Sequence, residues 1–204
     1  THELASILGT RPKPTGRGAT THEVAFMIWR CREHLFDLSS RSLIMGIVNV
    51  TPDSFSDGGK YLEPSAAIAH ALALLAEGAD LLDLGGESSR PGSAPVAATE
   101  QWRRLGPVIE GLRRESPGTC LSVDTASAEV AGKALAAGCH VVNDITALGD
   151  PAMAPVVAKS GAGVVLMHMQ GNPAIMQSAP RYDDVVREVG AYLDERRAVA
   201  RAAG

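Results

Sequence analysis

Leu43-Ile44-Met45-Gly46-Ile47-Val48-Asn49-Val50-Thr51-Pro52-Asp53-Ser54-Phe55-Ser56-Asp57-Gly58-Gly59 is an apolar run that ends on one amide side chain and opens into a polar, glycine-closed loop. Apolar residues on successive positions, rather than on alternate ones, mark a strand covered on both faces, as in a parallel sheet. The same form recurs at 80–85, 121–124, 141–145 and 163–167. Between these runs, 64–77, 99–115, 127–137 and 151–160 are Ala-rich with apolar residues three and four apart, the spacing of crossover helices. A last helix is predicted over 182–202, with Val185, Val186, Val189 and Leu193 as its apolar face and paired Asp, Glu and Arg as a solvated one. Glu77-Gly78-Ala79, Ala137-Gly138-Cys139 and Ser160-Gly161-Ala162 repeat a helix-ending glycine suited to the left-handed cap that turns the chain toward the next strand.

Five βα units in series indicate an α/β fold, either an open doubly wound sheet or part of a (β/α)8 TIM barrel. Periodicity does not choose between them, but the polar residues do. They follow several different strands, as a site on the carboxyl rim of a barrel requires, whereas an open sheet concentrates them near one switch point. The chain has 204 residues, fewer than the ~250 of a closed barrel, and it starts at Thr1 and stops after a helix. The expected organisation is a loosely ordered N-terminal extension over 1–40, rich in Thr, Gly, Pro and Arg near 10–21, then a barrel domain over 41–204 with about five of its βα units.

Composition limits the function classes. With 45% hydrophobic residues the chain can build a core, and a formal net charge of −4 gives no general attraction to nucleic acid. Three cysteines at scattered spacing read as reduced thiols of a cytoplasmic protein. No stretch reaches the ~18 apolar residues of a membrane span.

The strand ends carry the candidate chemistry. Asn49 is either a turn former or an oxygen ligand for a hard cation such as Mg2+. The segment Asp83-Leu84-Gly85-Gly86-Glu87-Ser88-Ser89-Arg90-Pro91-Gly92 is either a surface loop or a close backbone approach to a ligand, with hydroxyls and Arg90 for anionic oxygens. Asp124 can face a flat heterocycle or cap the next helix, and Asn143-Asp144 can do the first or form a turn. Met167 and Met169 flank His168. Each methionine fits core filling or contact with an aromatic ligand, and a lone His168 reads as structural because no second His or Cys stands at ligand spacing.

Taken together, Asn49 to Gly59, 78–91, 122–125, Asn143-Asp144 and 166–171 resemble the dihydropteroate synthase family, over about residues 35–204. That resemblance implies condensation of 6-hydroxymethyl-7,8-dihydropterin diphosphate with 4-aminobenzoate, giving dihydropteroate and diphosphate in folate biosynthesis. It implies Asn49 as the Mg2+ ligand, Asp124 and Asn143 as the catalytic pair reading the pterin, Met167 packing on its ring and Asp83 orienting the site. Phe55, Ser89, Arg90 and Pro91 would close over diphosphate and aminobenzoate, with Ser89 standing where the family usually has Thr. It further implies sulfonamide sensitivity and admits a homodimer of the full-length protein. The family's later strands add an Asp, a Lys and an Arg-x-His group that 1–204 lacks, so the isolated chain is expected to be weakly competent. The alternatives are a pterin-binding methyltransferase module using methyltetrahydrofolate, or a non-catalytic truncated paralogue.

Overall fold

The computed structural model describes residues 27–51, 64–87 and 95–204. The chain order begins with a hairpin, β1 (Ile28–Cys31) and β2 (His34–Asp37), and continues with β3 (Met45–Asn49), α1 (Pro64–Ala76), β4 (Leu81–Gly85) and α2 (Ala98–Glu115). It then runs through β5 (Cys120–Asp124), α3 (Ala128–Ala136), β6 (Val141–Asp144), α4 (Met153–Ser160), β7 (Gly163–Leu166) and α5 (Val185–Ala203). Strands β3 to β7 form one parallel sheet in the order of the sequence. There is no reversal of direction along the sheet, so these are consecutive staves of a TIM-barrel wall rather than a doubly wound sheet.

Alternation sorts each strand between two faces. Val48, Leu82, Leu84, Leu121, Val123 and Val142 are buried against α1 to α4, packed with Ala71, Leu105, Ile109, Leu112, Val130 and Met153. The other face carries Asn49, Asp83, Ser122, Asp124 and Asn143 toward the carboxyl end, and Met45, Leu81, Cys120 and Val141 toward the amino end. The apolar stretches therefore do read as strands covered on both faces, but only over their first halves.

The hairpin explains the cover at the amino end. Cys31 is fully buried, and Trp29 and Phe36 pack with Leu81, Cys120 and Val141, while Ile28 and Leu35 on alternate positions face outward. Its two-residue turn is pinned to the sheet's floor. Arg32, at φ 57, donates through its amide to Gly161 O and through Nη1 to Leu135 O and Cys139 O at 3.0 and 2.9 Å. A cation over Leu135 O, in the last turn of α3, complements that helix terminus. The loose extension expected over 1–40 is thus ordered from residue 28, because period-two alternation gives the hairpin one apolar face. Residues 1–26 lie outside the described residues.

The helix-ending glycines behave as their pattern predicts, with φ of 108 at Gly78, 107 at Gly138 and 66 at Gly161. In α5 the expected apolar face is only partly used. Val185 and Val186 are exposed, and the helix instead rests on the core through Val199 and Ala200. Among the described residues, no helix is long and apolar enough to cross a membrane.

Candidate active site

The carboxyl rim brings three of the expected residues, Asn49, Asp124 and Asn143, into one row with Gly85. Asn49 pairs in register with Gly85, Gly85 with Asp124, and Asp124 with Asn143. Gly85 makes the row concave. A Cβ built there would stand 3.3 Å from Asn49 Oδ1 and 3.7 Å from Asp124 Oδ2, so the missing side chain leaves a gap between an amide oxygen and a carboxylate. One step below, Asn143 Nδ2 donates to Asp83 Oδ2 at 2.9 Å. That bond fixes the amide, since the opposite orientation would set Oδ1 against a carboxylate, and it leaves Asn143 Oδ1 turned away from Asp83.

The electrostatics are those of an unfinished site. Burial pushes the Asp124 carboxyl up to about 7, and the negative charges of Asp83, Glu87 and Asp144 add to the rise. Burial also raises Asp83; Ser122 and Asn143 beside it temper the effect. Ser122 lies close without a well-formed hydrogen bond, for Asp83 Oδ1 and Ser122 Oγ are both buried with no partner. Unpaired buried oxygens cost ~1–3 kcal/mol each, so Asp83 and Ser122 both keep unused hydrogen-bonding capacity beneath the rim. Asp124 is not a helix cap, because Ser127 caps α3 by accepting from Val130 N.

Supporting residues appear that the sequence did not single out. Glu87 accepts from Val96 N at 3.0 Å and from Gln101 Nε2 at 2.8 Å, and Gln101 Oε1 accepts from Thr125 Oγ1 at 2.9 Å. This chain of bonds ties the loop after β4 to the end of β5 through α2. Its signal was Gln101 itself, a polar residue in the stripe that also carries Leu105, Val108 and Leu112, all buried.

On the opposite side of β6, Asp144 accepts from Thr146 N and Thr146 Oγ1 at 2.8 and 2.7 Å, and from Leu148 N at 2.8 Å. Asn143 and Asp144 therefore divide the two readings of that dipeptide, one facing the site and the other building the turn. Ala147 and Leu148 stand at φ 51 and 65, a left-handed conformation that costs an L residue about 1–2 kcal/mol. Met167 lies half-buried one residue beyond β7. His168 packs its ring edge-on to Tyr192 at 4.9 Å, in keeping with a structural role. Phe55, Ser89, Arg90 and Pro91 lie outside the described residues.

A second polar group sits at the floor, where donor atoms of His34, Cys120 and His140 lie within 4.8 Å of one another. It does not make a metal centre. Leu121 N donates to His140 Nδ1 at 3.0 Å, and Nε2 faces Glu33 Oε1 at 3.1 Å. Neutral His140 accordingly carries its proton on Nε2, and a metal at either nitrogen would have to displace a bond already made.

Residues 45–204 match the family model described as Pterin binding enzyme. Dihydropteroate synthase of Escherichia coli K12 is 45% identical over 161 residues, which span 79% of this chain and 57% of that relative's length. Among solved structures, a Yersinia pestis dihydropteroate synthase with a sulfonamide drug complex aligns with a TM-score of 0.79 and 44% identity, covering 87% of this chain and 64% of that one. A Xanthomonas albilineans dihydropteroate synthase with 4-aminobenzoic acid aligns with a TM-score of 0.78 and 49% identity, covering 88% and 63%. The match spans every strand whose end contributes to the rim, and the chain belongs to the pterin-binding enzyme family.

Proposed function

We propose that this chain supplies the pterin-reading part of a dihydropteroate synthase site, which joins 6-hydroxymethyl-7,8-dihydropterin diphosphate to 4-aminobenzoate. The observation that carries the reading is the row Asn49, Gly85, Asp124 and Asn143, with Asp83 holding the Asn143 amide. An aminopyrimidine edge presents N–H donors in a plane, and the row offers acceptors to match in the Asp124 carboxylate and Asn143 Oδ1. The gap at Gly85 gives room for a flat ring to approach the backbone. The relatives' solved complexes with 4-aminobenzoic acid and with a sulfonamide support the second substrate.

In the reaction a C–N bond forms between the aminobenzoate amine and the pterin's exocyclic carbon, and the C–O bond to diphosphate breaks. The amine loses its proton, and diphosphate leaves with the bonding electrons. Asp124 and Asn143 hold the ring so that this carbon faces the amine, a contribution of orientation rather than of nucleophilic attack. Asn49 presents an exposed amide oxygen at the rim, the donor type that Mg2+ takes, and Mg2+ when bound supplies charge neutralisation on the leaving diphosphate.

Calorimetric titration of the chain with the dihydropterin diphosphate tests the reading. Asp124→Asn keeps the shape and removes the charge-assisted acceptor, whose hydrogen bonds are worth ~1.5–3 kcal/mol. Its affinity should fall by roughly ten- to a hundredfold. Unchanged affinity, or wild-type binding of methyltetrahydrofolate in preference to the diphosphate, would reject the proposal.

A further inference from the structure

Helix α5 grips the turn after β6 through two side chains one helical turn apart. Arg196, only 19% exposed, donates from Nε to Ala147 O at 2.6 Å and from Nη2 to Leu148 O at 2.8 Å. Tyr192 Oη donates to Thr146 O at 3.5 Å. Three consecutive carbonyls thus face α5. The amides of the same turn face the other way, since Thr146 N and Leu148 N both donate to the Asp144 carboxylate.

The backbone held between them is one that its residues would not choose. Ala147 and Leu148 are consecutive and left-handed, at φ 51 and 65, and neither is a Gly, Asn or Asp that adopts this region readily. The conformation is therefore imposed by bonds from both sides, and strain of this kind concentrates where a protein must hold a group still. The group adjoining it is Asn143, whose amide is bonded to Asp83 on the far face of β6. Tyr192 also meets the edge of His168, next to Met167. One face of α5 therefore supports the rim ends of two strands.

We infer that Arg196 is a positioning residue for the pterin site, locking the strained Thr146–Leu148 turn so that β6 presents Asn143 at a fixed angle to Asp83. The inference rests on the pterin reading proposed above for its consequence, but its geometry stands apart from any ligand.

Two variants separate this role from a general effect on folding. Arg196→Ala should weaken binding of the dihydropterin diphosphate about tenfold and shift the side-chain amide resonances of Asn143. Adding Ala147→Gly should restore most of the affinity and the resonances, because glycine takes the left-handed conformation without help. Wild-type affinity and resonances in Arg196→Ala would overturn the inference. So would losses that Ala147→Gly fails to repair, since Arg196 would then act by another route. If the wild-type chain binds no pterin, the functional reading fails on its own, and the Asn143 resonances of the two variants still decide the positioning claim.

Discussion

The two ends of the same five strands treat their polar groups in opposite ways. At the floor, among the described residues, no buried side-chain nitrogen or oxygen lacks a partner: His140 uses both ring nitrogens, and Arg32 satisfies Leu135 O and Cys139 O. Asp80 there accepts from Arg41 and from Ile44 N. At the rim Asp83 Oδ1 and Ser122 Oγ have no partner, Asp124 stays partly protonated near neutral pH, and Asn49 is exposed beside a gap. Strand alternation alone would make the two ends alike. What distinguishes a site from a scaffold here is which hydrogen bonds remain unmade, for a fold keeps unmade buried bonds only where something else completes them.

The sharpest way to break the contrast is to remove one group from each end. His140→Ala orphans the Leu121 amide and leaves a cavity in a buried cluster, a combined cost of about 3 kcal/mol or more. The urea midpoint should drop accordingly, while the variant, where still folded, binds pterin as the parent does. A midpoint within error of the parent's would mean that the floor is no more saturated than the rim. Asp124→Asn should do the reverse at neutral pH and above, losing ligand while gaining stability.

The sign follows from the Asp124 carboxyl at about 7 in the folded chain, against 3.8 ordinarily. Ionising it costs more in the fold than in the unfolded chain, so its penalty is absent below the unfolded value and grows as pH rises until it is complete above about 7. The stability gain of Asp124→Asn should therefore be full at pH 8 and vanish near pH 4. Pterin affinity should run the other way in the parent chain. If, as proposed, binding needs the carboxylate, the dissociation constant should rise toward tenfold per unit as pH falls below about 7. A flat profile between pH 5 and 8 would show that a group other than Asp124 reads the ring.

Much of this was legible before any coordinates. Each rim residue betrayed itself by ending an apolar run, because a polar side chain there must either pair or serve. The glycine-ended helices were legible for the same local reason. The hairpin was not, since four-residue strands such as Ile28–Cys31 carry only two inward residues each, too few to stand out from a polar neighbourhood. In the sequence Arg196 belongs to a solvated charged face, and nothing local corrects that. Its partners are backbone carbonyls roughly fifty residues earlier, in a turn with no left-handed former at Ala147 or Leu148. The proposed ligand rests on resemblance, because hydrogen-bond acceptors in a row do not name the ring that fits them.

Gly85 offers the smallest change that still tests the comparison. Its φ is not in the left-handed region, so alanine is tolerated by the backbone, and the atoms nearest the added methyl are side-chain oxygens at 3.3 and 3.7 Å and Glu87 O at 3.7 Å. The 3.3 Å contact is tight, and Asn49 is exposed and free to give way by a few tenths of an ångström. Stability should accordingly change by no more than about 1 kcal/mol, the range of a mild overpacking. On the proposed reading pterin affinity should nevertheless fall several-fold, because the methyl would fill the gap through which the ring is to reach Asp124 and would push Asn49 from its place. Isothermal titration beside a thermal melt reads both at once. If Gly85→Ala binds as tightly as the parent, the gap is incidental to the rim, and the proposed site would rest on the unmade hydrogen bonds alone.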